Sequence, residues 1–156
     1  MSSVNIGISD TNRKEIADIL EVFLASEVVL NMKIRNYHWN VEATNFSELH
    51  SFFEWLYEQT TESIDEIAER MRMLWFKVSA NYTNFLKKSF IDEETQLWVS
   101  STSMIQNLLW DKETTIQKLR DAVNKVWELW DAWNEDFLTA AIQAHEKNAW
   151  MLRSSL

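Results

Sequence analysis

The sequence predicts an all-α fold: a four-helix bundle with a short extra helix in the long connection between the second and third helices. Three observations carry this. The 156 residues include one glycine, Gly7, and no proline, so the usual punctuation of hairpins and tight turns is missing. Apolar residues recur at helical spacing through four long segments. The length suits one domain, residues 1–156, with enough chain to bury a core.

The first helix is expected over about residues 11–37, with Ser9, Asp10 and Thr11 as candidate caps. Its apolar stripe is Ile16, Leu20, Phe23, Leu24, Leu30, Ile34 and Tyr37. A polar break at residues 40–45 leads to a second helix over about residues 46–74, with Leu49, Phe53, Leu56, Tyr57, Ile64, Ile67 and Met71 on its apolar side. Residues 75 to about 93 form the one long irregular stretch, within which 82–87 suit the short extra helix. The third helix is expected over about residues 94–130, bent or begun late. A break at 131–134 precedes a last helix that runs to about residue 153. Two helical hairpins joined by one long connection describe the arrangement.

Composition narrows the function. With no cysteine, disulfides and thiolate metal sites are both excluded. A formal charge of −9 gives a surface that repels nucleic-acid phosphate and attracts cations such as Fe²⁺. Residues 1–6 show no basic region followed by an apolar run, and no stretch approaches about 18 apolar residues. Neither a leader nor a membrane span is expected, and the cytoplasm is the expected compartment.

The chemistry rests on His38, His50, Glu54, Asp65 and Glu69, in a chain with only three histidines. On one helix at about 100° per residue, His50, Glu54, Asp65 and Glu69 fall near roughly 0°, 40°, 60° and 100°, on one face. Each has an ordinary reading too. Acid pairs at i and i+4 are common on exposed helices, and a histidine near a helix C-terminus favours the dipole. Together they suit a transition metal, since two imidazoles and a carboxylate meet where the first helix ends and the second begins. Yet fifteen residues of helix separate His50 from Asp65 by about 22 Å, whereas metal–ligand bonds are roughly 2.0–2.6 Å. One ion cannot be held by both ends. Either the two ends are separate half-sites, or two second helices pack antiparallel about a two-fold axis and complete each other. Completion of the acidic half by His145 of the same chain is a further alternative.

The run Asn36-Tyr37-His38-Trp39-Asn40-Val41, then Phe46-Ser47-Glu48-Leu49-His50, then Asp65-Glu66-Ile67-Ala68-Glu69-Arg70 resembles the signature of the Dps family, the ferritin-like miniferritins. Residues 146–153, with Trp150, also resemble that family. The resemblance implies a ferritin-like bundle, a homo-oligomer with a dimer as the site-forming unit, and a dodecameric hollow shell. It implies dinuclear iron sites shared between two-fold-related subunits, His38, His50 and Glu54 from one and Asp65 and Glu69 from the other. Trp39 matches a tryptophan that the family is thought to use in electron transfer; plain packing is the alternative. The implied reaction is oxidation of Fe²⁺, preferentially by hydrogen peroxide, with storage of ferric mineral inside the shell. Hard carboxylate oxygen favours Fe³⁺ over Fe²⁺, which agrees with that chemistry.

The chain departs from the family pattern in three respects. Its residues before Asn12 hold no lysine or arginine, so DNA binding is not expected. Glycine is usual after the second helix and before the last; here those stretches read Leu74-Trp75-Phe76 and Trp130-Asp131-Ala132-Trp133. Of nine tryptophans, Trp75, Trp98, Trp110, Trp127, Trp130 and Trp133 do not fit the pattern. By resemblance, the turn before the last helix lies near a pore, with Asp131 and Asp136 as candidate pore acids. Three alternatives remain to iron oxidation and storage: a nucleoid protein, a metal-free scaffold, and a divergent or engineered assembly with altered contacts.

Overall fold

The computed structural model describes residues 4–156 and contains five helices: α1 (Asp10–Asn40), α2 (Phe46–Met73), α3 (Tyr82–Lys88), α4 (Ser101–Glu128) and α5 (Ala132–Arg153). Met1, Ser2 and Ser3, the start of the segment read for a leader, lie outside the described residues. α1 packs against α2 and α4 against α5, while α3 lies across α1. Among the described residues there is no strand, and no helix is long and apolar enough to cross a membrane.

Local chemistry sets the helix ends. Of the three candidate caps for α1, Ser9 does the work: its side chain accepts from Asn12 N–H at 3.1 Å. α1 runs three residues past the expected end, and Asn40 Nδ2 donates back to the Asn36 carbonyl at 2.8 Å. His38 therefore sits on a last helical turn, where its position is fixed. α4 begins at Ser101, seven residues later than the start expected near residue 94. Ser100 caps it, accepting from Ser103 N–H at 3.1 Å. Glu94 is occupied elsewhere: it accepts from the Tyr37 hydroxyl at 2.7 Å and from Gln96 N–H at 2.8 Å. α5 starts at Ala132, inside the expected break, because the Asp131 side chain caps it by accepting from Asn134 N–H at 3.2 Å.

Two helix ends carry tryptophan where glycine is the ordinary choice. Trp75 has φ 72° and Trp130 φ 61°, both left-handed. Trp75 N–H bonds to the Arg72 carbonyl at 2.9 Å and Phe76 N–H to the Met71 carbonyl at 3.1 Å, a Schellman turn with Trp75 at its left-handed position. Trp130 N–H likewise bonds to the Trp127 carbonyl at 3.1 Å. A side chain in that conformation costs about 1–2 kcal/mol.

The core is two apolar clusters with a polar layer between them. One cluster packs Leu20, Leu24, Met71, Leu119 and Leu138; the other packs Leu30, Ile34, Tyr37, Phe53, Leu56 and Leu108. Between them, Glu27, Thr60, Lys112, His145 and Asn148 are all buried.

Candidate metal centre

The turn between α1 and α2 reverses the chain in five residues, which lays the end of α1 beside the start of α2. His38 and His50 meet there as a stacked pair with ring centroids 3.7 Å apart. They hold each other reciprocally. His38 Nδ1–H donates to the His50 carbonyl at 2.8 Å, and His50 Nδ1–H donates to the His38 carbonyl at 2.9 Å. A carbonyl can only accept, so both Nδ1 atoms carry the proton and both Nε2 atoms keep a free lone pair. A metal-binding imidazole needs this arrangement: its second nitrogen is bonded to a fixed acceptor that sets tautomer and ring orientation. The pair therefore fits a borderline divalent transition-metal ion.

Glu54, one turn along α2 from His50, accepts from the Tyr57 hydroxyl at 3.2 Å. Tyr57 also presents its edge to His38 at 5.2 Å, and the guanidinium of Arg35 lies 4.1 Å from its ring centre. Burial and the Glu54 carboxylate push the Tyr57 phenol up, so it stays a donor. Read by periodicity alone, Tyr57 belongs to the apolar stripe. Its i+3 spacing from Glu54 was the signal for a polar role.

The acidic half stands apart. Asp65 and Glu69 lie on the same continuous α2, exposed and away from the histidines. Among the described residues, no three His, Asp or Glu side chains of one chain converge as a metal site. His145 does not join Asp65 and Glu69. It is buried in the polar layer, with Nε2 3.2 Å from Glu27 Oε1 and Lys112 nearby. Burial, then the Lys112 charge, holds its imidazole below the usual range, against the pull of Glu27. Burial acts to raise Glu27, but its bond to His145 and the Lys112 ammonium outweigh it and keep the carboxyl low. Lys112 is itself fully buried, and burial holds its amine below the usual lysine range against the pull of Glu27 and Asp111. Sequence patterns gave no sign of this layer, because Lys112 looks like any surface lysine.

Trp39 is exposed, one residue beyond His38. Asp131 and Asp136 have different surroundings. Asp131 is buried as the α5 cap and sits 3.7 Å from Arg70 Nη2, while Asp136 is open to solvent.

Known proteins share this architecture. Residues 17–156 match the ferritin-like domain family. A DNA protection during starvation protein 2 of Bacillus anthracis is 32% identical, covering 92% of this chain and 97% of its own. The chain belongs to the Dps family. A low temperature-induced protein of a Nostoc species is similar to this Dps-family chain at 39% identity, over 99% of this chain and 87% of its own. A Dps protein of Vibrio cholerae O1, described as a ferritin-like diiron-carboxylate protein, superposes with TM-score 0.92 at 30% identity. That likeness covers 99% of this chain and 96% of the other.

Proposed function

We propose that this Dps-family chain is a ferroxidase and iron-storing miniferritin, assembled as a homo-oligomer whose iron sites lie between two copies. One observation carries the reading. A single unbroken α2 bears His50, stacked on His38 of α1, at one end and the Asp65–Glu69 pair at the other, about 22 Å apart by helix rise. Each end is half of a donor set. An antiparallel pairing of two α2 helices about a two-fold axis brings unlike ends together and makes two equivalent sites.

Fe²⁺ is the substrate at such a site. His38 and His50 would each offer Nε2, Glu54 a carboxylate that can bridge two ions, and Asp65 and Glu69 of the second copy hard oxygen donors that favour the ferric product. Two ferrous ions give one electron each to hydrogen peroxide, which takes two protons and leaves as two waters. Paired electron delivery avoids release of a hydroxyl radical. Trp39 would serve as an electron donor when only one ion is present. Ferric product would collect within a dodecameric shell, and of the two acids expected at its pore, Asp136 is the one the fold leaves open.

The test is complementation. His50→Ala and Asp65→Ala are made separately, unfolded together and refolded as mixed oligomers. Each parent should oxidise Fe²⁺ at less than a tenth of the wild-type rate. In mixed dimers one of the two sites pairs both intact halves, so a substantial part of the rate should return. Mixed particles verified by mass that remain as slow as the parents would refute the shared site.

A further inference from the structure

Periodicity puts Tyr57 on the apolar stripe of α2, yet the side chain is only half-buried and its hydroxyl meets a candidate ligand. The phenol donates to Glu54 Oε1 at 3.2 Å. The same ring lies 5.2 Å from the His38 ring at an angle of 78°, so one side chain touches a candidate ligand on each helix. Glu54 is exposed, and its carboxylate has no other hydrogen-bond partner among the described residues.

Tyr57 is itself held by α1, through residues spaced to share one face: Asn31, Arg35 and His38. The Arg35 guanidinium lies 4.1 Å from the ring centre, and Arg35 Nε donates to Asn31 Oδ1 at 2.9 Å. Asn31 is buried, and its Nδ2 donates to the Tyr57 carbonyl at 2.8 Å and to Thr61 Oγ1 at 3.0 Å. The Thr61 hydroxyl donates to the same carbonyl at 2.7 Å. A cation over the aromatic face and a buried amide bonded at both ends fix the ring and the backbone of Tyr57 together.

Glu54 needs such a support more than the histidines do. His38 and His50 orient each other through backbone carbonyls. A glutamate on an exposed helix face keeps its rotamer freedom and loses it only when it binds. The bond to Oε1 leaves Oε2 as the oxygen without a partner. Chelation of one ion through both oxygens then competes with the phenol. A carboxylate held in this way offers one oxygen first, the form that can reach a second ion beside the one on the imidazoles.

We propose that Tyr57 is a positioning residue for Glu54: it sets the carboxylate in the geometry that admits a second ferrous ion, and Arg35 and Asn31 hold it there. The proposal rests on the shared iron site and adds the means by which that site keeps two ions. Tyr57 touches no ion in this role and acts through Glu54 alone. Residues that orient a metal ligand typically contribute roughly ten- to a hundredfold to metal affinity or activity.

The test uses the assembled full chain with Co²⁺ as the probe, read by calorimetry and by the visible absorption of the bound ion. The wild type should take a pair of ions per site. Tyr57→Phe keeps the ring against Arg35 and His38 and removes only the hydroxyl. It should bind the first ion as the wild type does and the second about tenfold more weakly, and oxidation of Fe²⁺ by peroxide should slow by a similar factor. Glu54→Ala and the double variant Tyr57→Phe/Glu54→Ala should oxidise Fe²⁺ at the same rate, because nothing is left to position. A tyrosine that served packing alone would add its own loss to that of Glu54→Ala. If Tyr57→Phe does not fold, Arg35→Lys decides. It keeps the charge but gives up the planar group and the Asn31 bond, and should weaken the second ion about threefold. Wild-type affinity for the second ion in the folded variant, or a double variant slower than Glu54→Ala, overturns the proposal. Failure of the shared iron site looks different, because the wild type itself would then hold no pair of Co²⁺ ions.

Discussion

Three histidines in one chain are put to two opposite uses, and the surroundings of each imidazole decide which. His38 and His50 commit Nδ1 to carbonyls and leave Nε2 free, whereas His145 commits Nε2 to Glu27 inside the bundle. The buried one makes stability depend on pH. Its folded value lies below its ordinary 6.5, chiefly through burial and then through Lys112. Below pH 6.5 the unfolded chain therefore binds more protons than the folded one. The stability present above that pH is lost as pH falls through the folded value. Glu27, held below its ordinary 4.5 by His145 and Lys112 against the effect of burial, adds a further loss at lower pH. The urea midpoint should fall as pH drops from 6.5 toward 5. His145→Gln should flatten that slope while costing about 1.5–3 kcal/mol at pH 8, the scale of a hydrogen bond to a charged group. An unchanged slope in the variant would assign the pH dependence to other groups.

At the scale of elements, what matters is where helices stop. α2 stays unbroken from Phe46 to Met73, so His50 and the Asp65–Glu69 pair cannot approach each other within one chain. α4 starts late because Glu94 is held by Tyr37, whose hydroxyl also accepts from Asn107 Nδ2 at 2.9 Å. Burial raises the Tyr37 phenol well above its ordinary range, and the Glu94 bond adds to this, so it remains a donor to the carboxylate. Tyr37→Phe keeps the ring in its apolar cluster and removes both bonds. It should cost roughly 1–2 kcal/mol by denaturant titration and speed proteolysis within residues 92–100. Cleavage there at the wild-type rate would mean that the Ser100 cap alone sets the start of α4.

For the whole molecule, charge separates this chain from what the names of some relatives suggest. Similar proteins are called DNA protection during starvation proteins, yet the formal charge here is −9. Phosphate contacts supply most non-specific affinity for DNA, and they require a basic surface. Duplex DNA should migrate unshifted with the protein at micromolar concentration and about 0.15 M salt. A salt-sensitive shift would reveal a basic surface that only the assembled particle presents.

The sequence by itself determined the fold class and the number of long helices, because helical periodicity is a local property repeated over dozens of residues. It also determined that His50 and Asp65 stand too far apart for one ion, since helix rise converts residue number directly into distance. The tertiary structure alone decided what depends on contacts between distant parts of the chain. It set the start of α4 through Tyr37 and Glu94, fifty-seven residues apart. It took Asp131 from the solvent into a cap beside Arg70, and His145 from the candidate donors into a buried layer with Glu27 and Lys112. It turned two tryptophans outward in a backbone conformation suited to glycine. Each outcome depends on a partner that folding brings within bonding distance, and spacing along the chain carries no record of that partner.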